Sequence, residues 1–478
     1  MTASGLVTEP AMTAPSLNPD PITISPIRGR LPRRLLVWVV ASISVNLVWW
    51  AAGIDLAWPW RVLLVLASVA GYLWISLRPG RHQAPPVTAR MKRLSYGVEL
   101  LLASGVAALA NVAWWIWLGF DLAAGPQGVR WVVYVVDIVV GIGLIAALAF
   151  GGFLRVALSS RQVTVTTKVA LALLWWCPPL TAILLRRVTR ALDQEIAVGA
   201  ARAARDLDRA DKQICRTRYP LLMVHGIFFR DWPVFNYWGR IPDGLIANGA
   251  TIHYGGQQSS ASVARSAEEL ADTIRRIVDE TGCGKVNIIA HSKGGLDARW
   301  AISQLGIADE VASLTTINTP HRGCNFARQL MDKIPDQMIG RISERYDAVF
   351  TKLGDPSPDF LAGVCDLTDT ECARLNALMP DWPAVVYQSV GSVMVSRFAS
   401  PFPLNLGYSL IQPVDGDNDG LVALSSMAWG DFLGVFRPTG ANGISHADMI
   451  DVLRRDVGDF DVVEAYVQMV SDLRRRGL

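Results

Sequence analysis

Charged residues and cysteines are both scarce in this sequence of 478 residues. Charged side chains make up 18% of it, against about 25% in an average soluble domain, which argues against a single soluble enzyme. The formal net charge of +3 offers no basis for binding nucleic acid, so we expect no such partner. The six cysteines form no CxxC pair, which argues against a zinc ribbon or a dense disulfide scaffold.

Apolar residues, in contrast, reach 51% and are concentrated near the N-terminus, where twelve of the 17 tryptophans precede residue 180. After a tail over 1–30 that is expected to be disordered, long apolar stretches occupy about 35–57, 62–77, 95–120 and 131–153. A transmembrane helix needs about 20 apolar residues, so three stretches qualify and 62–77 is marginal. With a fifth, short stretch, Val169–Leu185, the sequence predicts a multi-pass region of the cell membrane over 31–186, with four or five helices.

The distribution of basic residues predicts the orientation of this region. Arginines and lysines crowd the tail and the second connection, whereas the first and third connections hold essentially Arg61 and Arg130. By the positive-inside rule, the N-terminus is expected in the cytoplasm. If the fifth stretch spans the membrane, the C-terminal half lies outside; if it lies in the interface, that half stays cytoplasmic. Basic residues at both ends leave the two alternatives open, but proline is tolerated inside membrane helices, which favours spanning and an extracytoplasmic C-terminal half.

Three acids, Asp55, Glu99 and Asp137, lie within the apolar stretches, and a role inside the membrane is open for Glu99 and Asp137. Acids inside a membrane are candidates for a proton or substrate path. The simpler alternative is an acid near a helix end or satisfied by a neighbour. No second ionisable partner repeats along these stretches, so the simpler alternative is favoured.

Beyond the membrane region, residues 187–216 predict a charged linker helix, and residues 217–478 predict a second domain. In that domain, short apolar runs ended by glycine or polar residues alternate with helical patterns, which is typical of a parallel α/β sheet. The predicted strands are Leu221–His225, Thr251–Tyr254, Val286–Ala290 and Val311–Thr319, and the predicted helices are 263–278 and Leu296–Leu305. Ligands of such sheets bind at the carboxyl ends of the strands, where chemistry is therefore expected.

A serine follows one of these strands in the pattern of a nucleophile elbow. Ser292 lies between a buried strand and a helix, with the small residues Ala290 and Gly294 on either side. The pattern is G-x-S-x-G with alanine in place of the first glycine. Small side chains are required there because strand and helix pack closely around a strained, exposed serine. The sequence therefore predicts Ser292 as a nucleophile.

A serine nucleophile needs a base, and the base needs an acid that orients it. Only two of the six histidines, His321 and His446, follow Ser292, and His321 comes immediately after the next strand. His446 is therefore the predicted base. Asp419 is the predicted acid, on a turn after a polar run, and Asp417 is the second choice.

An oxyanion hole is expected from two backbone amides, one after the nucleophile and one in an early loop. Lys293 and Ile227 occupy these positions. A competing motif, the opening of an EF-hand calcium loop, runs from Asp415 to Gly420. It is discounted because position 12, which should be glutamate, is Ser426, and no pair of helices flanks the loop.

The chain from about Tyr219 onward resembles the bacterial triacylglycerol-lipase-like α/β-hydrolases, especially clostridial-type proteins reading HGIFFRD and AHSKGGLD. The segments that carry the resemblance are Val224–Gly226, Ala290–Gly295, Asn318–Gly323, Asn418–Val422 and Ser445–Asp448. It implies an α/β-hydrolase fold in which Ser292, Asp419 and His446 form the triad and Ile227 and Lys293 line the oxyanion hole.

The resemblance also suggests a structural calcium ion at Asp448, although no second ligand is identified, and otherwise no cofactor. The side chain of Lys293 could favour anionic substrates such as phospholipids, or form a plain surface ion pair. A cap is expected over about 323–375, and ordinary helices that pack on the sheet are the alternative. The apolar residues of this segment are Phe326, Leu330, Ile334, Met338 and Phe350.

Together these features predict an N-terminal α-helical transmembrane bundle followed by an α/β-hydrolase domain. The expected function is a membrane-anchored serine ester hydrolase, a lipase or esterase, that cleaves lipid or other acyl esters through an acyl-enzyme. An acyltransferase or a phospholipase on the same triad, and a non-catalytic binding module with a hydrolase fold, are the alternatives.

Overall fold

The computed structural model shows two compact units, one that ends at Leu207 and one over Asp208–Leu478. The structure describes residues 31–77, 88–123, 128–160, 162–163, 165–174, 178–227, 236–325, 344, 346–348, 351, 358–437, 443–454, 456–457 and 460–478.

The first unit is helical, as predicted. Its helices are α1 (Leu31–Ser44), α2 (Trp58–Leu77), α3 (Ala89–Ala123), α4 (Gly128–Ser159), α5 (Val165–Leu174) and α6 (Pro178–Arg209). Within the described ranges, three of them, α2, α3 and α4, are long and apolar enough to cross a membrane. The stretch that was marginal by its sequence, 62–77, is one of these three, because the helix begins four residues earlier, at Trp58.

The first and fifth apolar stretches do not form single helices. In the first, α1 ends at Ser44 and a turn of π-helix follows over Trp49–Gly53. The carboxylate of Asp137 accepts a hydrogen bond from the Trp49 amide (2.9 Å), so that this acid is satisfied by a neighbour. The fifth stretch is divided between α5 and α6, because α5 ends at Leu174, four residues before Pro178.

The second unit contains a six-stranded sheet in which every neighbouring pair of strands is parallel. Its strands, in the spatial order β2-β1-β3-β4-β5-β6, are β1 (Leu221–Val224), β2 (Ile252–Tyr254), β3 (Val286–His291), β4 (Val311–Ile317), β5 (Val386–Ser392) and β6 (Asp431–Phe436). All four predicted strands are present to within two residues, and the predicted fold class is confirmed. The last two strands, β5 and β6, were not predicted.

Helices cover both faces of this sheet. They are α7 (Ile241–Ala247), α8 (Val263–Thr281), α9 (Gly294–Gln304), α10 (Phe360–Cys365), α11 (Asp369–Leu378), α12 (Leu404–Asp415), α13 (Leu424–Met427) and α14 (Val462–Arg475). Alternate residues of one strand enter opposite cores: Met223 packs with α7 and α14, whereas Leu222 packs with α8 and α9. Because both faces are buried, apolar residues are expected on both faces of a strand, as in β1, where all four residues are apolar.

The boundary between the units lies inside the predicted linker helix. Residues 187–209 continue α6, and the second unit begins within this helix, at Asp208. In the second unit, Cys215 is fully buried in the core, and Arg209 pairs with Glu464 at 2.8 Å. Of the predicted cap, the five apolar residues named above lie outside the described residues, and the described part contains α10 and α11.

Candidate active site

Ser292 lies on the sharp turn between β3 and α9. Its backbone has a φ of 55°, in the left-handed region that a residue with a side chain rarely adopts. Its amide donates to the carbonyl of Ile317 at the end of β4 (3.0 Å), which holds the turn against the neighbouring strand. This is the strained strand–turn–helix position expected of a serine nucleophile.

The turn is surrounded by glycines because the backbone packs closely there. A Cβ atom on Gly226 would lie 2.7 Å from the Cβ of Ser292, and one on Gly294 would lie 2.3 Å from the carbonyl oxygen of His225. Real Cβ atoms do not approach so closely, so a side chain at either position would displace the elbow. The small residues of the motif are thus a requirement of packing.

Asp419 and His446 form a buried pair. His446 Nδ1 lies 2.6 Å from Asp419 Oδ2, and the other carboxylate oxygen accepts the amides of Leu421 (2.9 Å) and Val422 (2.8 Å). The ring of His446 lies 4.4 Å, centroid to centroid, from that of His291, the residue before Ser292. The second choice, Asp417, instead pairs with Arg437 at the surface (3.0 Å).

Asn318, which directly follows β4, is a site residue that received no role from the sequence. Its side-chain amide donates to Asp419 Oδ2 (2.7 Å) and to Ser392 Oγ (2.7 Å), and all three residues are fully buried. Asn318 has a φ of 48°, a conformation that asparagine tolerates better than most residues. The sequence held one signal for such a role, the position of Asn318 at the carboxyl end of β4, the strand beside β3.

The early loop that carries Ile227 follows β1, the neighbour of β3 in the sheet. The amide of Gly226 is engaged, because it donates to the hydroxyl of Tyr237 (3.0 Å), which in turn lies 2.7 Å from His291 Nδ1. Val224 and Ala290 are register partners on β1 and β3, so Ile227 and Lys293 both follow strand ends at the same edge of the sheet.

The side chain of Lys293 is buried, with 1% of its surface exposed. Its ammonium donates to the carboxylate of Asp297 (2.7 Å) and to Ser266 Oγ (3.0 Å), between α9 and α8. Burial raises the pKa of Asp297 to about 7, although the lysine charge opposes that shift. Neither expectation for this side chain holds: it is an internal ion pair, not a cation offered to an anionic substrate or a surface pair.

His321, the histidine set aside in the sequence, lies in the interior. Its Nε2 is 2.9 Å from Thr316 Oγ1, and its ring stacks on Trp429. Burial, reinforced by the charge of Arg299, lowers the pKa of His321 well below its usual range. A neutral, fully buried imidazole of this kind is suited to packing.

Asp448, suggested as a calcium ligand, is occupied within its own loop. One carboxylate oxygen accepts hydrogen bonds from the amide (3.0 Å) and the hydroxyl (2.6 Å) of Ser445. Among the described residues, no three His, Cys, Asp or Glu side chains are grouped so that they could hold a metal ion. A calcium ion at Asp448 stays a prediction, and the observed bonds of Asp448 hold the turn before His446.

A family model of the alpha/beta hydrolase fold matches residues 219–405, which include β1 to β5 and the Ser292 turn. The second unit therefore has the α/β-hydrolase fold. A triacylglycerol lipase of Burkholderia plantarii is 27% identical over 328 residues, which cover 55% of this chain and 91% of the lipase. A triacylglycerol lipase of Vibrio cholerae is 29% identical over 289 residues, which cover 55% of this chain and 90% of that lipase.

Among solved structures, the lipase of Staphylococcus hyicus aligns with a TM-score of 0.44 and 18% identity, over 55% of this chain and 97% of that one. The curated relatives confirm the predicted enzyme class for the α/β-hydrolase unit, a carboxylic ester hydrolase. The clostridial-type subgroup stays a prediction.

Proposed function

We propose that the α/β-hydrolase unit cleaves acyl esters with Ser292 as nucleophile, His446 as general base and Asp419 as the acid that orients the base. The observation that carries the proposal is the buried Asp419–His446 pair at 2.6 Å, on loops beside the left-handed turn of Ser292. A carboxylate hydrogen-bonded to a histidine in this way, beside a strained serine, is the arrangement in which an acid orients the base of a serine nucleophile.

In the proposed reaction, His446 takes the proton of the Ser292 hydroxyl as the oxygen attacks the ester carbonyl carbon. The negative charge on the carbonyl oxygen is stabilised by the amides of Ile227 and Lys293. The tetrahedral intermediate then expels the alcohol, which receives the proton from His446. Water, activated by the same histidine, attacks the acyl-enzyme and releases the carboxylic acid, so no cofactor is required.

Asp419 fixes the tautomer of His446 and stabilises the positive charge that forms on its ring. Because its carboxylate accepts the Nδ1 proton of His446, the other ring nitrogen is left free to accept the serine proton. The negative charge also stabilises the imidazolium that forms. Since the second oxygen of Asp419 is held by two backbone amides, the carboxylate can keep its position throughout the cycle.

For the substrate we propose a lipid or another apolar acyl ester. The curated relatives named above are triacylglycerol lipases, and the three long apolar helices would anchor this enzyme in the cell membrane as a multi-pass protein. An acyltransferase would form the same acyl-enzyme and then use an alcohol in place of water. Product analysis in the presence of competing alcohols separates hydrolysis from acyl transfer.

The test is the Ser292→Ala variant of the full-length enzyme, assayed on a short-chain nitrophenyl ester. Loss of the nucleophile is expected to lower kcat/KM by about 10⁴-fold or more, and to abolish labelling by a fluorophosphonate. The matched control is Ser425→Ala, an exposed serine of α13, which is expected to react like the unaltered enzyme. Full activity of Ser292→Ala would contradict the proposal, as would labelling of that variant equal to the control.

A further inference from the structure

The carboxylate of Glu195, in the middle of α6, is buried against the end of α4. It accepts hydrogen bonds from Ser160 Oγ (2.9 Å) and from the Gln162 amide (3.3 Å), and it forms an ion pair with Arg90 of α3. Ser160 directly follows the last residue of α4. Since the two side chains are in contact, Ser160 and Glu195 lie at the same end of the helical unit.

The chain between these residues therefore leaves that end and returns to it. With 10 residues at about 1.5 Å each, α5 is about 15 Å long, half the thickness of a hydrocarbon core of about 30 Å. Lys168 donates to the carbonyls of Ala157 (2.9 Å) and Ser160 (3.1 Å), which places the start of α5 at the same end. Thr181 Oγ1 donates to Leu174 O (2.7 Å), which links the start of α6 to the end of α5. The fifth apolar stretch thus forms a helical hairpin that enters the membrane and returns to the same side, in place of crossing it.

The basic residues identify this end. The Arg90 guanidinium donates to the carbonyl of Ser159 (2.9 Å), so the start of α3 lies beside the end of α4, and Lys92 and Arg93 are exposed there. At the opposite end, Arg130 donates to the carbonyl of Gly53 (3.1 Å). By the positive-inside rule, the end with the dense positive charge faces the cytoplasm.

We infer that the chain leaves the membrane on the cytoplasmic side, so that the hydrolase works in the cytoplasm, on esters of the inner leaflet or the cytosol. This reverses the expectation from the sequence, in which a spanning fifth stretch carried the C-terminal half outward. Beyond Glu195, α6 is too rich in charge to cross the membrane again. All five cysteines of the described residues are free thiols, a state that a reducing compartment preserves. The choice of substrate rests on the proposed function.

The experiment attaches a reporter to the C-terminus of the full chain in bacterial cells. A green fluorescent protein is expected to be fluorescent, and an alkaline phosphatase, which is active only outside the cytoplasm, is expected to be inactive. As a matched control, phosphatase inserted after Asp55, at the opposite end of the helical unit, is expected to be at least about tenfold more active than the C-terminal fusion. An active C-terminal phosphatase with a dark fluorescent fusion would overturn the inference.

A second measurement tests the hairpin itself. Cysteines introduced together as Ser160→Cys and Glu195→Cys are expected to be joined by a short bismaleimide in membranes, whereas the pair Asp55→Cys and Glu195→Cys is expected to stay unlinked. The reverse pattern would overturn the inference. Ester hydrolysis is assayed separately in the same membranes, so a failure of the proposed function leaves the reporter and cross-linking results unchanged.

Discussion

The carboxylate of Asp419 accepts hydrogen bonds from the side chains of His446 and Asn318 and from two backbone amides. These bonds hold both oxygens, so the histidine ring has one preferred position. The motif Asn418–Val422 indicated the acid, because the turn and its polar run are local features of the chain. The contribution of Asn318 was not predictable, because it is 101 residues away in sequence and reaches Asp419 only through the order of the strands.

Replacing Asn318 by glycine is expected to lower kcat by about 10- to 100-fold with little change in KM, because His446, the proposed base, loses part of its positioning. Glycine accepts the φ of 48°, so the variant removes the amide without adding backbone strain. Steady-state kinetics on a soluble ester measures the effect. Asn318→Asp, which keeps the shape but sets a second carboxylate against Asp419, should be slower still; unchanged kcat in both variants would argue against the positioning role.

The burial of Asp297, which raises the pKa of its carboxyl group against the opposing charge of Lys293, predicts a dependence of stability on pH. The pKa of Asp297 is about 7 in the folded enzyme and about 4 in an unfolded chain. Between these values the folded state holds a proton that the unfolded state has released, so stability should fall as the pH rises from about 4 to 7. The midpoint temperature of thermal unfolding, measured on the detergent-solubilised enzyme across this range, should therefore fall as the pH rises. The Asp297→Asn variant should show a weaker dependence on pH.

Replacing only Lys293 should lower the free energy of unfolding more than replacing both Lys293 and Asp297 by apolar residues. Lys293→Met leaves Asp297 buried without its cation. This change is expected to lower the free energy of unfolding by about 3–5 kcal/mol. The double variant Lys293→Met, Asp297→Leu should recover most of that loss, because an apolar pair needs no desolvation. Equal stability of the single and double variants would show that the pair is not coupled.

Among the elements, the first four strands were predictable and the last two were not. The run of β1 is wholly apolar and that of β3 is mostly apolar, because both faces of the sheet are covered. In β5, polar side chains interrupt the pattern, and their partners come from neighbours: Gln388 donates to Thr315 of β4 (2.8 Å) and Ser389 to the carbonyl of Trp429 (2.7 Å). Such a strand is stabilised by contacts that a local pattern does not contain.

The packing of β1 against the elbow predicts that Gly226→Ala impairs catalysis. The φ of Gly226 is not in the left-handed region, so alanine adds no backbone strain there. The disruption comes from the clash of the new methyl group with Ser292. Displacement of the nucleophile by a fraction of an ångström is expected to lower kcat by about 100-fold. The control Gly105→Ala, which meets no heavy atom within 4 Å, should leave the rate on a soluble ester unchanged. Equal rates for the two variants would contradict the proposed close approach.

For the whole molecule, the division at Leu207 and Asp208 predicts that the α/β-hydrolase unit folds alone. A chain of residues 208–478 keeps Arg209 with Glu464 and the buried Cys215, and is expected to hydrolyse a soluble nitrophenyl ester at close to the full-length rate. On esters held in phospholipid vesicles its rate should fall well below that of the full-length enzyme, since the helices that we propose as the membrane anchor are absent. Equal rates of the two chains on vesicles would contradict the role of the helical unit as an anchor.

The sequence by itself determined the long apolar helices of the first unit, the parallel sheet and the turn of Ser292, because apolar runs, their lengths and glycine spacing act over a few residues. Tertiary structure decided where α1 breaks, what surrounds Lys293 and how Asn318 supports Asp419, since each depends on partners distant in the chain. It also changed the interpretation of the fifth apolar stretch. Its composition allows a spanning helix or a hairpin, and the contact between Ser160 and Glu195 favours the hairpin.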